Sequence, residues 1–290
     1  MKQIIIIHPD DNVAVALQVF HQGDTIQETG LTLRDDIPAG HKIALQPIAK
    51  GAPVIKYGMP IGMALRDIAA GEHVHTHNVK THLSGELTYT YTPALHTLPQ
   101  APVRTFLGYP RKYGRAGVRN ELWILPTVGC VNDVARTLKE RARSLAGGAV
   151  EAVNAFEHPY GCSQMGDDQE NTRKILADLA VHPNAGGVLV LGLGCENSGV
   201  EEIKKHMPPY DASRVRFMVS QDTDDELKEG MHLLTELAER MRQDKREAVG
   251  ADQLIIGLKC GGSDGFSGIT ANPLVGRFSD RLIAMGGATI

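Results

Sequence analysis

The chain has 290 residues, 42% hydrophobic and 22% charged, enough to bury one full core and, by length, two domains. A formal net charge of -4 and a pI near 6.3, with no dense Lys/Arg block, give no field that draws in nucleic acid. Apolar runs such as 187–193 are too short to cross a bilayer, and no basic segment followed by an apolar core opens the chain. A cytoplasmic protein with no membrane partner is therefore expected.

In chain order, residues 1–8 form a β-branched run, residues 12–20 read as a brief helix, and residues 26–33 alternate loosely. Two phrases then recur, DIPAGHKIAL at 36–45 and DIAAGEHVHT at 67–76, each an aspartate, a glycine-closed turn and a strand. A further turn at 50–53 leads into a strand at 54–57, so this part reads as a compact all-β module. Within the predicted strand 73–79, His73, His75 and His77 are spaced by two, which on a strand puts all three imidazoles on one face. Such a face suits a divalent metal or a carboxylate substrate; it also suits the solvent side of an edge strand. Residues 93–118 are broken by Pro93, Pro99, Pro102 and Pro110 and read as a solvated linker. Its basic residues Arg111, Lys112, Arg115 and Arg119 leave contact with an acidic substrate as the alternative.

From Glu121 the rhythm becomes strand, glycine turn, helix. Amphipathic helices are predicted at 132–145, 169–181 and 224–242, the last with an acidic first turn and a basic last turn. The apolar strands between them, 187–193 and 214–220, predict a mostly parallel α/β sheet. Gly192, Gly194 and their neighbours lack the third glycine of a dinucleotide fingerprint, and no Walker lysine motif occurs.

The four cysteines share one design. Cys130, Cys162, Cys195 and Cys260 each end an apolar run in a glycine turn, and the last belongs to LIIGLKCGGSDGFSGITANP at 254–273. Residues 254–256 read as a short buried strand, and Ser263, Asp264, Ser267, Thr270 and Asn272 follow it at the edge where open α/β sheets hold ligands. Four cysteines in a chain this long do not make a disulfide scaffold; each singly suits core packing, and together they suit a metal or a reactive rim.

The motifs GHKIAL, VIKYGMPIG, GEHVHTHN, GVRNELWILPTVGCVN, HPYGCSQMGDD, GLGCEN and CGGSDGFSGITANP, in this order along nearly the whole chain, resemble the altronate/galactarate dehydratase family. Within it the HVHTHN strand is similar to the altronate and sulfolactate branches, and altronate is the first choice. The resemblance implies a multidomain chain: a β-clip (SAF) domain at 1–92, a linker at 93–118, a central α/β domain at 119–250 used in homodimerisation, and the start of a Rossmann-like domain at 251–290. Family members continue beyond this point, so only the beginning of the third domain is expected here. The resemblance also implies Fe(II) or Mn(II) dependence and conversion of D-altronate to 2-dehydro-3-deoxy-D-gluconate plus water, in hexuronate catabolism. Galactarate dehydration, sulfolactate cleavage and a noncatalytic sugar-acid-binding or assembly fragment are the alternatives.

Removing a proton alpha to a carboxylate builds up a dianion, so such a site needs cationic or hydrogen-bonding groups, a base, and an acid for the departing hydroxyl. On that chemistry His158, Glu196 and Asp264 are the candidate catalytic residues. Ser263, Thr270 and Asn272 are candidates for holding substrate, and His75, His77, Cys195 and Cys260 for holding metal.

Overall fold

The structure is a computed structural model that describes residues 2–81, 90–93, 97–259, 261 and 265–290. They form two compact units, Met1–Pro99 with Gly257–Arg281, and Gln100–Ile256 with Leu282–Ile290. Among the described residues no helix is long and apolar enough to cross a membrane.

The first unit is all-β through its N-terminal part: β1 (Ile4–Ile5), β2 (Val13–Ala16), β3 (Lys42–Ala44), β4 (Pro53–Lys56), β5 (Met59–Ala64), β6 (His73–Val74) and β7 (Val79–Lys80). They pair antiparallel as β1-β2-β3-β6 and β4-β5-β7. The helix predicted at 12–20 is instead β2. Its four residues are all buried, with Ala14 and Ala16 packed among Ile4, Phe20 and Ile43, and Val13 among Ile48, Val54 and Ala64. Two-sided burial of a four-residue VAVA run is satisfied by period-two alternation, which overrides the helical reading of the flanking sequence.

The recurring phrases fold alike. Gly40 and Gly71 take φ of 82° and 84°, the left-handed region that glycine enters without a Cβ penalty. Asp36 Oδ1 accepts the Gln22 amide at 2.9 Å, and Asp67 Oδ1 accepts the Lys50 amide at 2.7 Å. Each aspartate thus pins a neighbouring turn, and the strands that follow, β3 and β6, pair with each other.

The second unit contains β8 (Thr105–Gly108), β9 (Glu121–Pro126), β10 (Val153–Ala155), β11 (Ala185–Gly192), β12 (Val215–Val219), β13 (Glu247–Gly250), β14 (Ile255–Ile256) and β15 (Ala288–Thr289). Helices α1 (Asn132–Ala142), α2 (Gly166–Ala180), α3 (Val200–His206) and α4 (Glu226–Met241) lie between them; α5 (Ala271–Ala284) follows β14 in the chain and belongs, up to Arg281, to the first unit. The central sheet, β10-β9-β11-β12, is parallel throughout. Leu122, Ile124, Leu189 and Leu191 pack with Ala135 and Leu138 of α1 and Leu234, Leu237 and Met241 of α4. The alternate residues Trp123, Leu125, Val188 and Val190 pack with Ala180 of α2 and Val200 of α3. Both faces are dry, which explains why β9 and β11 read as unbroken apolar runs.

Three expectations need correction. The stretch 105–118 is no solvated linker: β8 pairs antiparallel with β13, and the Arg111 side chain, 2% exposed, donates to Pro183 O and Asn120 Oδ1 and faces Asp244. Arg115 donates to Asp252 O and Arg119 pairs with Glu121, so these charges tie down backbone and carboxylates. The buried strand predicted at 254–256 is β14, whose one ladder runs parallel to β15 and whose Ile255 is 48% exposed. The sequence also reads as a helix over 279–285; it is α5, which begins earlier, at Ala271, with Pro273 in its first turn, where no intrahelical N–H is needed.

Glu151 links the outer layer to the sheet, accepting from Tyr109 Oη at 3.0 Å, Arg246 Nη2 at 2.6 Å and the Asn120 amide at 3.2 Å. Burial acts to raise its pKa, but Arg246, Tyr109 and the Asn120 amide outweigh it, and the carboxyl lies below its ordinary 4.5. Its stabilising contribution is therefore present above that value and lost as the pH falls through the lowered folded one. We expect Glu151→Gln to lower urea-unfolding stability by about 1 kcal/mol at neutral pH. The gap to the parent chain should close on acidification below 4.5; a gap that persists there would contradict this account.

Candidate active site

The first unit assembles a histidine cluster. His73 ends up opposite Ile43, and continuing the β3–β6 register sets His41 opposite His75. His41 Nδ1 lies 2.9 Å from His73 Nε2, so one of the two rings donates and the other accepts. The His41 and His75 rings stack at 4.9 Å, and His77 lies 5.3 Å from His73. The strand predicted at 73–79 stops at Val74, and His75 to Asn78 form a turn. Asn78, fully buried, drives it: its Oδ1 accepts the His75 amide at 3.0 Å and its Nδ2 donates to His73 O at 2.8 Å. The histidines therefore converge by a side-chain-closed turn rather than by alternation. Burial, then the neighbouring His41, His77 and His75, lower the His73 pKa to about 4; Asp35 opposes them. His75 is lowered for the same kinds of reason, with Lys42 contributing. His73 and His75 are both biased toward the neutral imidazole.

Beside it lies a pocket of about 580 Å³, lined by His41, Lys42, Lys56, Tyr57, His75 and, from the C-terminal segment of the same unit, Ser267 and Asn272. Lys56 is buried and its ammonium sits 4.7 Å from the Tyr57 ring centroid. Burial first, and then the charge of Lys56, lower the Lys42 pKa. Two ammonium groups held close together in partial burial make a site that an anion relieves. Tyr57 and Gly58, with φ of 63° and 70°, are the two-residue loop of the β4–β5 hairpin, the left-handed pair that such a turn requires. That loop sets the Tyr57 hydroxyl where a Cβ on Gly268 would lie 1.8 Å away, so a side chain there would displace the Tyr57 ring.

The second unit assembles a thiol corner. Cys130, Cys162 and Cys195 follow the carboxyl ends of β9, β10 and β11, three neighbouring parallel strands, and all three are exposed free thiols. Desolvation by the surrounding protein, then Cys130, which hydrogen-bonds it, then Cys195 and Glu196, raise the Cys162 pKa. Cys130 is within hydrogen-bonding reach of Cys162, while Cys195 and Glu196 act on Cys162 by charge, and each of these groups becomes anionic on ionisation. Glu196 Oε1 accepts from Thr127 Oγ1 at 2.6 Å and the Leu193 amide at 3.1 Å, and Oε2 accepts the Gly194 amide at 2.7 Å. Burial raises its pKa, but the Thr127 hydroxyl and the backbone amides outweigh it and hold the group below its ordinary value. It stays ionised near neutral pH. His158 Nε2 donates to Pro126 O at 2.8 Å, and Nδ1 accepts the Tyr160 amide at 3.2 Å. Both ring nitrogens are engaged by backbone, so a proton-accepting role requires one of these bonds to open.

Of the residues predicted from sequence, His75 and Asn272 share the pocket of the first unit; His158, Glu196 and Cys195 belong to the second. His77 adjoins the histidine cluster. Thr270 Oγ1 donates to Phe266 O at 2.9 Å, ahead of α5. Cys260, Ser263 and Asp264 lie outside the described residues. Among the described residues no group of three His, Cys, Asp or Glu side chains is arranged to hold a single metal ion. Sequence reasoning missed His41, Lys42 and Lys56. The signal for His41 was present, since it stands in the first copy of the repeated phrase at the position matched by Glu72 in the second, one residue before the strand that pairs with β6.

Three family models divide the chain among them. Residues 2–82 match the altronate/galactarate dehydratase SAF domain, 108–242 the second domain of D-galactarate dehydratase/altronate hydrolase, and 251–290 the C-terminal part of D-galactarate/altronate dehydratase. The chain belongs to the altronate/galactarate dehydratase family. It is 51% identical to the altronate dehydratase of Bacillus subtilis and 53% to that of Escherichia coli, over 100% and 99% of its own length. The galactarate dehydratase (L-threo-forming) of Escherichia coli is 33% identical over 97% of the chain. The chain spans 59% of the length of the two altronate dehydratases and 57% of the galactarate enzyme.

Asn78 supplies the turn that positions the histidines, and its loss leaves the part-buried His75 amide and His73 carbonyl without these partners. Asn78→Ala is expected to cost about 2–4 kcal/mol in urea unfolding. Asn78→Asp, which keeps the acceptor for the His75 amide, is expected to recover part of it; equal stability of all three chains would remove the turn from this account.

Proposed function

We propose that the chain acts in the dehydration of a six-carbon sugar acid, D-altronate giving 2-dehydro-3-deoxy-D-gluconate and water. The observation that carries it is the pocket in which Lys42, Lys56, His41 and His75 face Ser267 and Asn272, cations and neutral donors suited to a carboxylate on a polyhydroxyl chain. Its volume, about 580 Å³, falls in the range of small-molecule sites. The identities of 51% and 53% to two altronate dehydratases, against 33% to a galactarate dehydratase, favour altronate over galactarate.

In this reading the ammonium groups of Lys42 and Lys56 bind the carboxylate and stabilise the charge that builds on it as the C2 proton leaves. A base takes that proton, the C3 hydroxyl departs as water after protonation, and the enol tautomerises to the 2-keto acid. Asn272, Ser263 and Thr270 are the proposed hydroxyl-binding residues, with His158, Glu196 and Asp264 the proposed acid–base set. Glu196 supplies an ionised carboxylate held by three donors, a positioning group more than a mobile proton carrier. His158 reaches base chemistry only by releasing Pro126 O or the Tyr160 amide.

Fe(II) or Mn(II) remains the proposed cofactor class, and bound metal would act as a Lewis acid on the departing hydroxyl. The expected ligands do not form one preassembled single-ion centre: His75 and His77 belong to one unit, Cys195 to the other, and Cys260 is outside the described residues. No step is therefore routed through such an ion. By softness, the thiol corner fits iron better than manganese. A homodimer through the central domain and a cytoplasmic setting complete the proposal.

Calorimetric titration of the chain with D-altronate and assay for 2-keto acid under anaerobic, iron-supplied conditions test it. Binding and product are expected with altronate in preference to galactarate; binding without product favours a sugar-acid-binding module, and neither defeats both. Lys42→Met, which keeps the packed stem and removes the charge, is expected to weaken altronate binding about tenfold or more, as loss of one charge-assisted hydrogen bond does.

A further inference from the structure

Each of the three converging cysteines directly follows a glycine: Gly129, Gly161 and Gly194. Two of these take left-handed angles, Gly161 with φ of 135° and Gly194 with φ of 129°. A Cβ on Gly161 would lie 2.4 Å from Val128 Cγ2, and one on Gly194 would lie 2.6 Å from Gln221 Oε1. The same device, a glycine that lets backbone turn against a neighbouring strand end, therefore delivers a thiol from each of three adjacent parallel strands. Cys130 and Cys162 line an open recess of about 310 Å³ with Gly129, Asn132, Tyr160 and Ser163. Beside Cys195, Ser198 is fully buried and its hydroxyl has no partner.

Ordinary uses of cysteine account poorly for this arrangement. Core packing requires burial, and all three are exposed. A disulfide would use two and leave the third. A catalytic thiol needs one sulfur and a free base, whereas the histidine at this corner, His158, has both ring nitrogens engaged by backbone. A closed zinc site needs four ligands around one ion, and no three such side chains among the described residues are placed around one ion. Three soft donors from adjacent strand ends, not arranged around one ion and next to a carboxylate kept anionic, suit an assembly larger than one ion.

We propose that Cys130, Cys162 and Cys195 are the protein ligands of an iron–sulfur cluster in which one iron carries no cysteine. Three thiolates leave that iron open to water or to a substrate hydroxyl, as catalytic metal sites keep one open position. The inference deepens the dehydratase proposal and rests on it only for the use of the open iron, which is to draw electrons from the hydroxyl that departs. Ligation itself stands on the thiol geometry alone.

Anaerobic reconstitution of the 290-residue chain with ferric iron, part of which the thiol reductant converts to ferrous, and sulfide tests ligation without any assay of turnover. About four iron and up to four sulfide per chain are expected, with broad visible absorption that bleaches on dithionite and an electron-paramagnetic signal in one redox state. Cys130→Ser, Cys162→Ser and Cys195→Ser should each lower bound iron and sulfide several-fold while circular dichroism and the thermal midpoint of the metal-free chain stay at the parent values. Iron bound without sulfide at about one per chain would overturn the cluster, as would serine variants that load as the parent does. A variant that fails to fold is replaced by the alanine form at the same position and by thiol alkylation of the parent before loading. A loaded cluster without altronate turnover defeats the dehydratase proposal and leaves the cluster standing; turnover undiminished in the cluster-free Cys162→Ser chain leaves ligation standing and removes the open iron from the reaction.

Discussion

Burial of β9 and β11 on both faces is the constraint on which the second unit depends. Leu122, Ile124, Leu189 and Leu191 fill one side and Trp123, Leu125, Val188 and Val190 the other, so neither strand has a face to spare for polar chemistry. Any reactive group must then sit at a strand end, and in a parallel sheet all carboxyl ends emerge on one edge. That is why residues separated by 32 and 33 positions, Cys130, Cys162 and Cys195, become neighbours without any short motif joining them. The same edge brings the Thr127 hydroxyl, one residue past β9, to the Glu196 carboxylate past β11 at 2.6 Å.

Much of this was legible because period and composition carry it. The helices at 132–145, 169–181 and 224–242 were read from apolar spacing and are found as α1, α2 and α4 within a few residues of the expected ends. The glycine–cysteine pattern showed that thiols end strands, and parallel topology turned that into convergence for the three that are described. What escaped the sequence depended on register and on side chains acting as backbone. Nothing local marks His41 as the partner of His73 and His75; it follows from β3 pairing with β6 in one register and no other. Likewise Asn78 replaces strand hydrogen bonds with its own amide, so a run that spells period two, HVHTHN, bends after Val74. Arg111 misled in the opposite sense: charge suggested solvent, yet four polar partners from Pro183, Asn120, Arg119 and Asp244 make burial tolerable.

The two units solve opposite electrostatic problems with the same backbone device. In the first, glycine-closed turns and the Tyr57–Gly58 hairpin crowd Lys42, Lys56 and four imidazoles, and the crowding lowers Lys42 and His73 toward their neutral forms. In the second, glycine turns crowd three thiols and Glu196, and the crowding raises Cys162 toward its neutral form. Lys42, His73 and Cys162 are each less stable in the charged state than in water, and each is relieved by a ligand of opposite sign. An anion such as a carboxylate would answer the first, and the cluster proposed above would answer the second.

A chain that kept either cluster fully solvated would hold its charges comfortably and bind neither partner tightly, since water would compete at every group. The strain is spread over backbone angles that only glycine accepts cheaply, at Gly40, Gly71, Gly161 and Gly194, so the cost of crowding falls on turns and not on the core. The dry sheet and the packed β-module can then remain rigid while their edges hold groups that gain stability only when a ligand arrives.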